Sequence, residues 1–133
     1  MNLFTHTDIE RLYFNGLRSE TGKDHFPVVK LFRPNSNDIW LFSELNPNNT
    51  LMFLGLSGKG LGSLYVGYTD YRELISGKND PANRVMRDPH FSPRHRMSVY
   101  ISAAMSLGFV TELEPVLQRH SRISRSPPGF GLN

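Results

Sequence analysis

Between Pro27 and Thr69 the chain carries four runs of Val, Ile, Leu, Phe, Trp and Tyr, parted by three short polar or glycine-rich stretches. Such residues suit a pleated, half-buried surface, and their spacing predicts strands at Val28–Arg33, Ile39–Leu45, Thr50–Leu56 and Ser63–Thr69. The first connection, Pro34-Asn35-Ser36-Asn37, joins a fixed-φ proline to residues that bond their own backbone or accept a positive φ. Asn46-Pro47-Asn48-Asn49 repeats that chemistry. A parallel crossover needs a dozen or more residues, so connections this short require antiparallel neighbours and a meander. In the second run strict alternation puts Ile39, Leu41, Ser43 and Leu45 on one face, and Trp40, Phe42 and Glu44 on the other. Both faces hold large apolar groups, so both are expected to be covered, at least in part. The reading makes Trp40 a buried anchor.

The rest of the chain reads as helices and loops around that sheet. Thr7 and Glu10 have capping-box spacing, and Ile9, Leu12 and Tyr13 share a helical face. Asn15-Gly16 marks a stop, giving a helix over 8–15. A polar connection over 17–26 contains Lys23, Asp24 and His25. After the sheet, Asp70 to Gly77 is a turn of helix capped by Thr69 or Asp70, and residues 78–83 form a loop. Val85, Met86 and Phe91 suggest a short fifth strand, which Pro89 confines to an edge. Ser92-Pro93 has the N-cap and first-turn chemistry of a helix carrying Met97, Tyr100, Ile101, Ala104 and Leu107, with Gly108 as its stop. Phe109 and Val110 are expected to pack back on the domain. Leu113, Val116 and Leu117 fit one further turn around Pro115. These elements make a single α+β domain over 1–120, with a mainly antiparallel four- to five-stranded sheet and about three helices. A mobile basic tail follows over 121–133, rich in Ser, Arg, Pro and Gly.

A chain of 133 residues fits one domain with a real core. It has no cysteine, which removes disulfides, thiolate metal sites and thiol nucleophiles. No apolar run has the length of a membrane span, and Met1 to Asp8 lacks the pattern of a signal peptide, so a cytoplasmic protein is expected. The net charge of +3 is unevenly placed. Residues 1–83 sum to about −1 and residues 84–133 to about +4, every cation of the second part being arginine. Arginine is the bidentate partner of phosphates and carboxylates. This makes Arg87, Arg94, Arg96, Arg119, Arg122 and Arg125 the candidate binding residues, for nucleic acid or for an acidic protein. Arg119, Arg122 and Arg125 recur every three residues, as in a phosphate-contacting arm, although an ordinary soluble terminus has the same composition.

Catalytic signatures are weak. The run Gly55-Leu56-Ser57-Gly58-Lys59-Gly60-Leu61-Gly62 invites comparison with a phosphate loop, but no Gly-Lys-Ser/Thr ends it and a strand follows where a helix is needed. It reads as a turn with several positive-φ positions. Arg87-Asp88-Pro89-His90-Phe91 mixes functional groups densely. Asp88 could orient His90 as a carboxylate does in an acid–base pair, and Glu44 could join them, which would make a small hydrolase or nuclease. Such pairs more often serve as structural hydrogen bonds. His90 with Asp88, His95 or His25 would bind metal only if loops brought them together, since none has a metal-ligand spacing. No cofactor or metal is assigned.

An ordered series of short matches remains: Pro27-Val-Val-Lys-Leu-Phe32, Trp40 with Ser43-Glu44-Leu45, Gly60-Leu-Gly62 with Gly67-Tyr68, Arg87-Asp88-Pro-His90-Phe91, and Ser98-Val-Tyr100. The series resembles the domain-of-unknown-function family numbered 2958, over roughly Asp24 to Val110. The resemblance implies no established activity and hands down no catalytic residue. It implies a setting, that of accessory proteins on bacterial plasmids, integrative elements and phage-related islands. The expected function is therefore a non-enzymatic binding protein of mobile DNA, modulating host defence, transfer or expression through a protein or nucleic-acid partner.

Overall fold

A computed structural model describes residues 3–19, 23–60 and 62–124. Five strands form one antiparallel sheet: β1 Val29–Phe32, β2 Ile39–Leu45, β3 Met52–Gly58, β4 Leu64–Asp70 and β5 Met86–Arg87, ordered β4-β3-β2-β1-β5. Among the described residues four helices accompany it: α1 His6–Leu17, α2 Tyr71–Leu74, α3 Met97–Leu107 and α4 Glu114–Ser124. The four expected strands form the meander, and the fifth joins β1 at the sheet edge. The turns work as their residues suggest. Asn35 adopts φ 63°, and the Asn46 side chain accepts the Asn48 N–H. β3 begins and ends two residues later than its apolar run, because Asn49 and Asn46 take the Met52 N–H and C=O into the turn.

Both sheet faces are covered except along the edge strand β4, where Tyr65, Val66 and Tyr68 stay exposed. On one, Phe4, Leu12, Leu31, Trp40, Phe42 and Phe53 form a core closed by α1 and α2, with Phe4 and Phe53 stacked at 4.5 Å. On the other, Leu41 and Leu56 meet Tyr100, Ala103 and Ala104 of α3 and Leu117 of α4. Trp40 is 1% exposed, as expected of an anchor. Each fully buried large side chain of this kind contributes about 1.5–3 kcal/mol.

Strict alternation fails at one place in β2. Phe42 pairs with Gly55 and Glu44 with Leu54, leaving Ser43 as an extra residue, a β-bulge. Past it the side chains exchange faces. Leu45 joins the Trp40 and Phe42 core, and Glu44 turns to the α3 side.

The helix ends also depart from expectation. α1 is capped by Thr5, whose hydroxyl accepts the Asp8 N–H while the Asp8 carboxylate accepts the Thr5 N–H; this is a capping box two residues before the Thr7–Glu10 pattern. The helix then passes through Gly16 to Leu17. A Cβ on Gly16 would lie 1.9 Å from the Leu45 carbonyl oxygen, so this glycine permits close approach of α1 to β2 and is no stop. α3 starts at Met97, not at Ser92-Pro93, because the 17–26 connection caps it. His25 C=O accepts the Met97 N–H, and the Asp24 carboxylate accepts both the Ser98 N–H at 3.0 Å and the Ser98 hydroxyl. Gly108, at φ 86°, ends it as its sequence suggests. Val110 packs on the α3 core, whereas Phe109 is exposed.

α4 is longer than the expected single turn. The basic stretch expected to leave the domain at Ser121 continues this helix through Ser124, because Leu117, His120 and Ser121 are buried together. Residues 125–133, with Arg125, lie outside the described residues. Among the described residues no helix is long and apolar enough to cross a membrane.

Candidate functional site

Arg11, Phe14 and Asn15 of α1 and its C-cap residue Arg18 fall at helical spacings of three, four and seven, which puts them on one side of the helix. That side forms one wall of a groove of about 760 Å³. The rest of its lining comes from His25 to Val28, Phe91 to Pro93 and Arg96. Phe14 is 58% exposed and Phe26 41%. The Arg96 guanidinium lies over the Phe26 ring, 5.0 Å from its centroid, and donates to the Asp24 carbonyl at 2.8 Å. Arg11 has no hydrogen-bond or ion-pair partner among the described residues. A second cavity of about 400 Å³ shares Phe26 and Arg96 with the first and adds Asp24, Arg94, His95, Ser98 and Ser121. The two form a continuous basic and aromatic corner between the C-terminal half of α1 and the start of α3.

Beneath the groove lie two buried titratable groups. The His25 and Glu44 side chains are 10% and 9% exposed, with His25 Nε2 4.0 Å from Glu44 Oε2. Neither His25 Nε2 nor Glu44 Oε1 has a hydrogen-bond partner. Burial pushes the Glu44 carboxyl above its ordinary range. Burial also pushes the His25 imidazole down, helped by the charges of Lys23 and Arg18 and opposed by a bond to the Asn15 backbone and by Asp24. Both charged forms are thus disfavoured. One ring nitrogen is held by the Asn15 carbonyl, and the other, Nε2, is buried and faces Glu44. The Asn15 amide donates to Ser43 C=O at 2.9 Å, fixing the bulge against α1. The bulge is what delivers Glu44 here.

The residues singled out in the sequence go to several places. Asp88 Oδ1 accepts the His90 backbone N–H at 2.8 Å, and Oδ2 lies 3.5 Å from Lys30 Nζ, which also bonds Glu112. The His90 side chain is exposed and does not meet the Asp88 carboxylate. Glu44 sits with His25. Asp88, His90 and Glu44 therefore form no common constellation. Arg87 is engaged by Asp8 in a bidentate pair at 2.6 and 3.0 Å. Arg94 and Arg96 line the basic corner, and Arg119 and Arg122 are exposed on α4. His95 bonds Glu114 at 2.8 Å, holding that carboxyl below its usual range, and Ser102 bonds His120 at 2.7 Å; both link the α3 region to α4. Among the described residues no three His, Cys, Asp or Glu side chains gather as metal ligands.

Sequence reasoning missed Arg11, Phe14, Arg18 and Phe26. The signal was the spacing of Arg11, Phe14 and Arg18. Ending α1 at Asn15 removed Arg18 from that face.

No curated protein and no solved structure matches the chain. The family described as "Protein of unknown function (DUF2958)" matches residues 3–111, a span that takes in α1, the sheet, α3 and the lining of the groove and stops before α4. The chain belongs to the DUF2958 family.

Proposed function

We propose that this chain is a non-enzymatic binding protein that holds nucleic acid in the groove between α1 and the Phe26–Arg96 corner. The observation that carries the reading is that Arg11, Arg18 and Arg96 line one groove, with Arg94 in the adjoining cavity. Asp24 lines the adjoining cavity with its carboxylate bonded to the Ser98 N–H and hydroxyl, and Glu44 is buried with its charged form disfavoured, so arginines outnumber carboxylates along the two cavities. A cleft lined by one sign of charge focuses the field and attracts the opposite charge. The scattering of Asp88, His90 and Glu44 speaks for binding over hydrolysis. The setting is the one that the family resemblance suggests: the cytoplasm of a bacterium carrying mobile DNA, where such a groove would serve transfer, expression or evasion of host defence.

The test is fluorescence anisotropy with labelled oligonucleotides at graded salt. Affinity should fall with salt, by about 0.7–0.9 in the logarithmic slope for each phosphate neutralised. Replacing Arg11, Arg18 and Arg96 together with Ala should weaken binding and flatten that slope. Absence of binding at low salt, or binding indifferent to salt, would exclude nucleic acid and leave an acidic protein as partner. Turnover of a nucleic-acid or ester substrate that His90→Ala abolishes in a folded variant would replace the proposal with the hydrolase reading.

A further inference from the structure

We infer that the groove takes an unpaired strand, holding bases against Phe14 and Phe26 while its phosphates meet the arginines. This rests on the nucleic-acid reading above and narrows it. A basic groove alone would suit duplex and single strand equally, since both present phosphates. The aromatic rings break that equivalence. Single exposed apolar side chains are ordinary on protein surfaces. Here two phenyl rings, 58% and 41% exposed, line one groove together with three arginines. Arg96 covers part of Phe26 and extends that side of the platform with a flat cation. In a duplex the faces of the bases are already used by their neighbours, and only edges and backbone are offered. An unpaired strand has free faces, and these stack on aromatic rings and guanidinium planes with little regard to sequence.

The positions of the groups fit such a ligand. Arg11 and the C-cap residue Arg18 lie two turns apart, about 10 Å along the axis of α1, with Phe14 between them. That spacing puts a cation on either side of Phe14, so a base stacked on the ring has an arginine near each of the two phosphates that flank its sugar. The helix N-terminus at α3 is not part of the site, because Asp24 and His25 already occupy its N–H groups.

The experiment compares four probes of equal length on the unmodified protein: single-stranded DNA, single-stranded RNA, blunt duplex DNA, and a DNA strand of abasic sites that keeps every phosphate. Either base-bearing single strand should bind at least about tenfold more tightly than both the duplex and the abasic strand. Phe26→Leu and Phe14→Leu, each confirmed as folded by thermal denaturation, should lower single-strand affinity roughly five- to a hundredfold. They should leave duplex and abasic binding unchanged. A duplex bound as tightly as the single strands, or an abasic strand bound as tightly as a base-bearing one, overturns the inference. In that outcome salt-dependent binding would persist and the broader nucleic-acid reading would stand. Failure of all four probes at low salt would remove both. The abasic comparison needs no variant, so its outcome does not depend on a substitution folding.

Discussion

The two ends of α1 handle buried charge in opposite ways. At the N-terminal end, Asp8 is 4% exposed and its carboxylate is filled by the Thr5 N–H and by two bonds from Arg87. At the C-terminal end, Glu44 is 7% exposed, its Oε1 has no partner, and the His25 nitrogen beside it has none either. Around the first acid an arginine is consumed by the fold. Around the second, Arg11 lines a groove with no partner among the described residues, beside Arg96, which the Asp24 carbonyl and the Phe26 ring hold at its edge. A charge that the fold has already satisfied belongs to the structure; an arginine such as Arg11, beside a groove and over an unsatisfied pair, is left for something else. The arginine count of a sequence therefore says little about binding until each is sorted by what already holds it.

The sharpest way to break this contrast is Arg87→Ala, with the largest expected effect. Removing one partner of a buried pair leaves an uncompensated charge, at a cost of about 3–5 kcal/mol in denaturant unfolding. Arg87→Lys should recover only part, since a lysine cannot supply the bidentate fork. Burial alone would raise the Asp8 carboxyl, but the bonds from Arg87 and Thr5 outweigh it and hold the group below its usual 3.8. The stability this gives is present above the ordinary carboxylate range and is lost as pH falls through the lowered folded value. Arg87→Ala should diminish that acid-dependent loss. A cost under about 1 kcal/mol would mean that Arg87 is as available as Arg11 and that the two ends do not differ.

Which parts of this arrangement the sequence discloses follows the range of the forces involved. The strands, the edge position of β5 and the burial of Trp40 rest on local pattern and turn chemistry, and they are legible. Three misreadings share one cause, a contact between distant segments. Gly16 looks like a helix stop but answers to the Leu45 carbonyl. Ser92-Pro93 looks like a cap, but Asp24 supplies it from far along the chain. Ser43 looks like a strand residue, yet the pairing with β3 makes it a bulge that sends Glu44 to the opposite face. All three lie around the groove. The candidate site was therefore the least legible region, although Arg94 and Arg96 could be named from composition.

A smaller effect should come from the other end. The Glu44 carboxyl is raised by burial, so its neutral form is the one the fold favours. The sign follows: its contribution is fully present below the unfolded value near 4.5 and is lost as pH rises through the higher folded value. Glu44→Gln keeps the shape and stays neutral. It should raise stability at neutral pH, with the gain vanishing toward pH 4. His25 works in the opposite sense. Its folded value is depressed, so stability should fall as pH drops from neutrality through 6.5 and below, and His25→Gln should flatten that limb. Urea unfolding between pH 4 and 8 reads both. Destabilisation by Glu44→Gln across the whole range would show that the carboxylate is satisfied after all.

The smallest stability effect belongs to Arg11→Ala, and it tests the contrast most directly. Arg11 is exposed on the outer face of α1 and has no partner among the described residues. Alanine is the better helix former, and a surface substitution away from caps and networks usually changes stability by less than about 0.5 kcal/mol. Unfolding by urea should therefore be indistinguishable from that of the unmodified protein. Binding should not be. If Arg11 neutralises one phosphate, its loss should weaken nucleic-acid affinity and reduce the logarithmic salt slope by about 0.7, the contribution of a single phosphate on a single strand. A stability loss above about 1 kcal/mol would make Arg11 a structural residue like Arg87. An unchanged slope with unchanged stability would remove it from the groove's phosphate contacts and leave Arg18 and Arg96 to carry them. The expected pairing, a stable fold with a shallower slope, is what separates an arginine held by the protein from one held for a ligand.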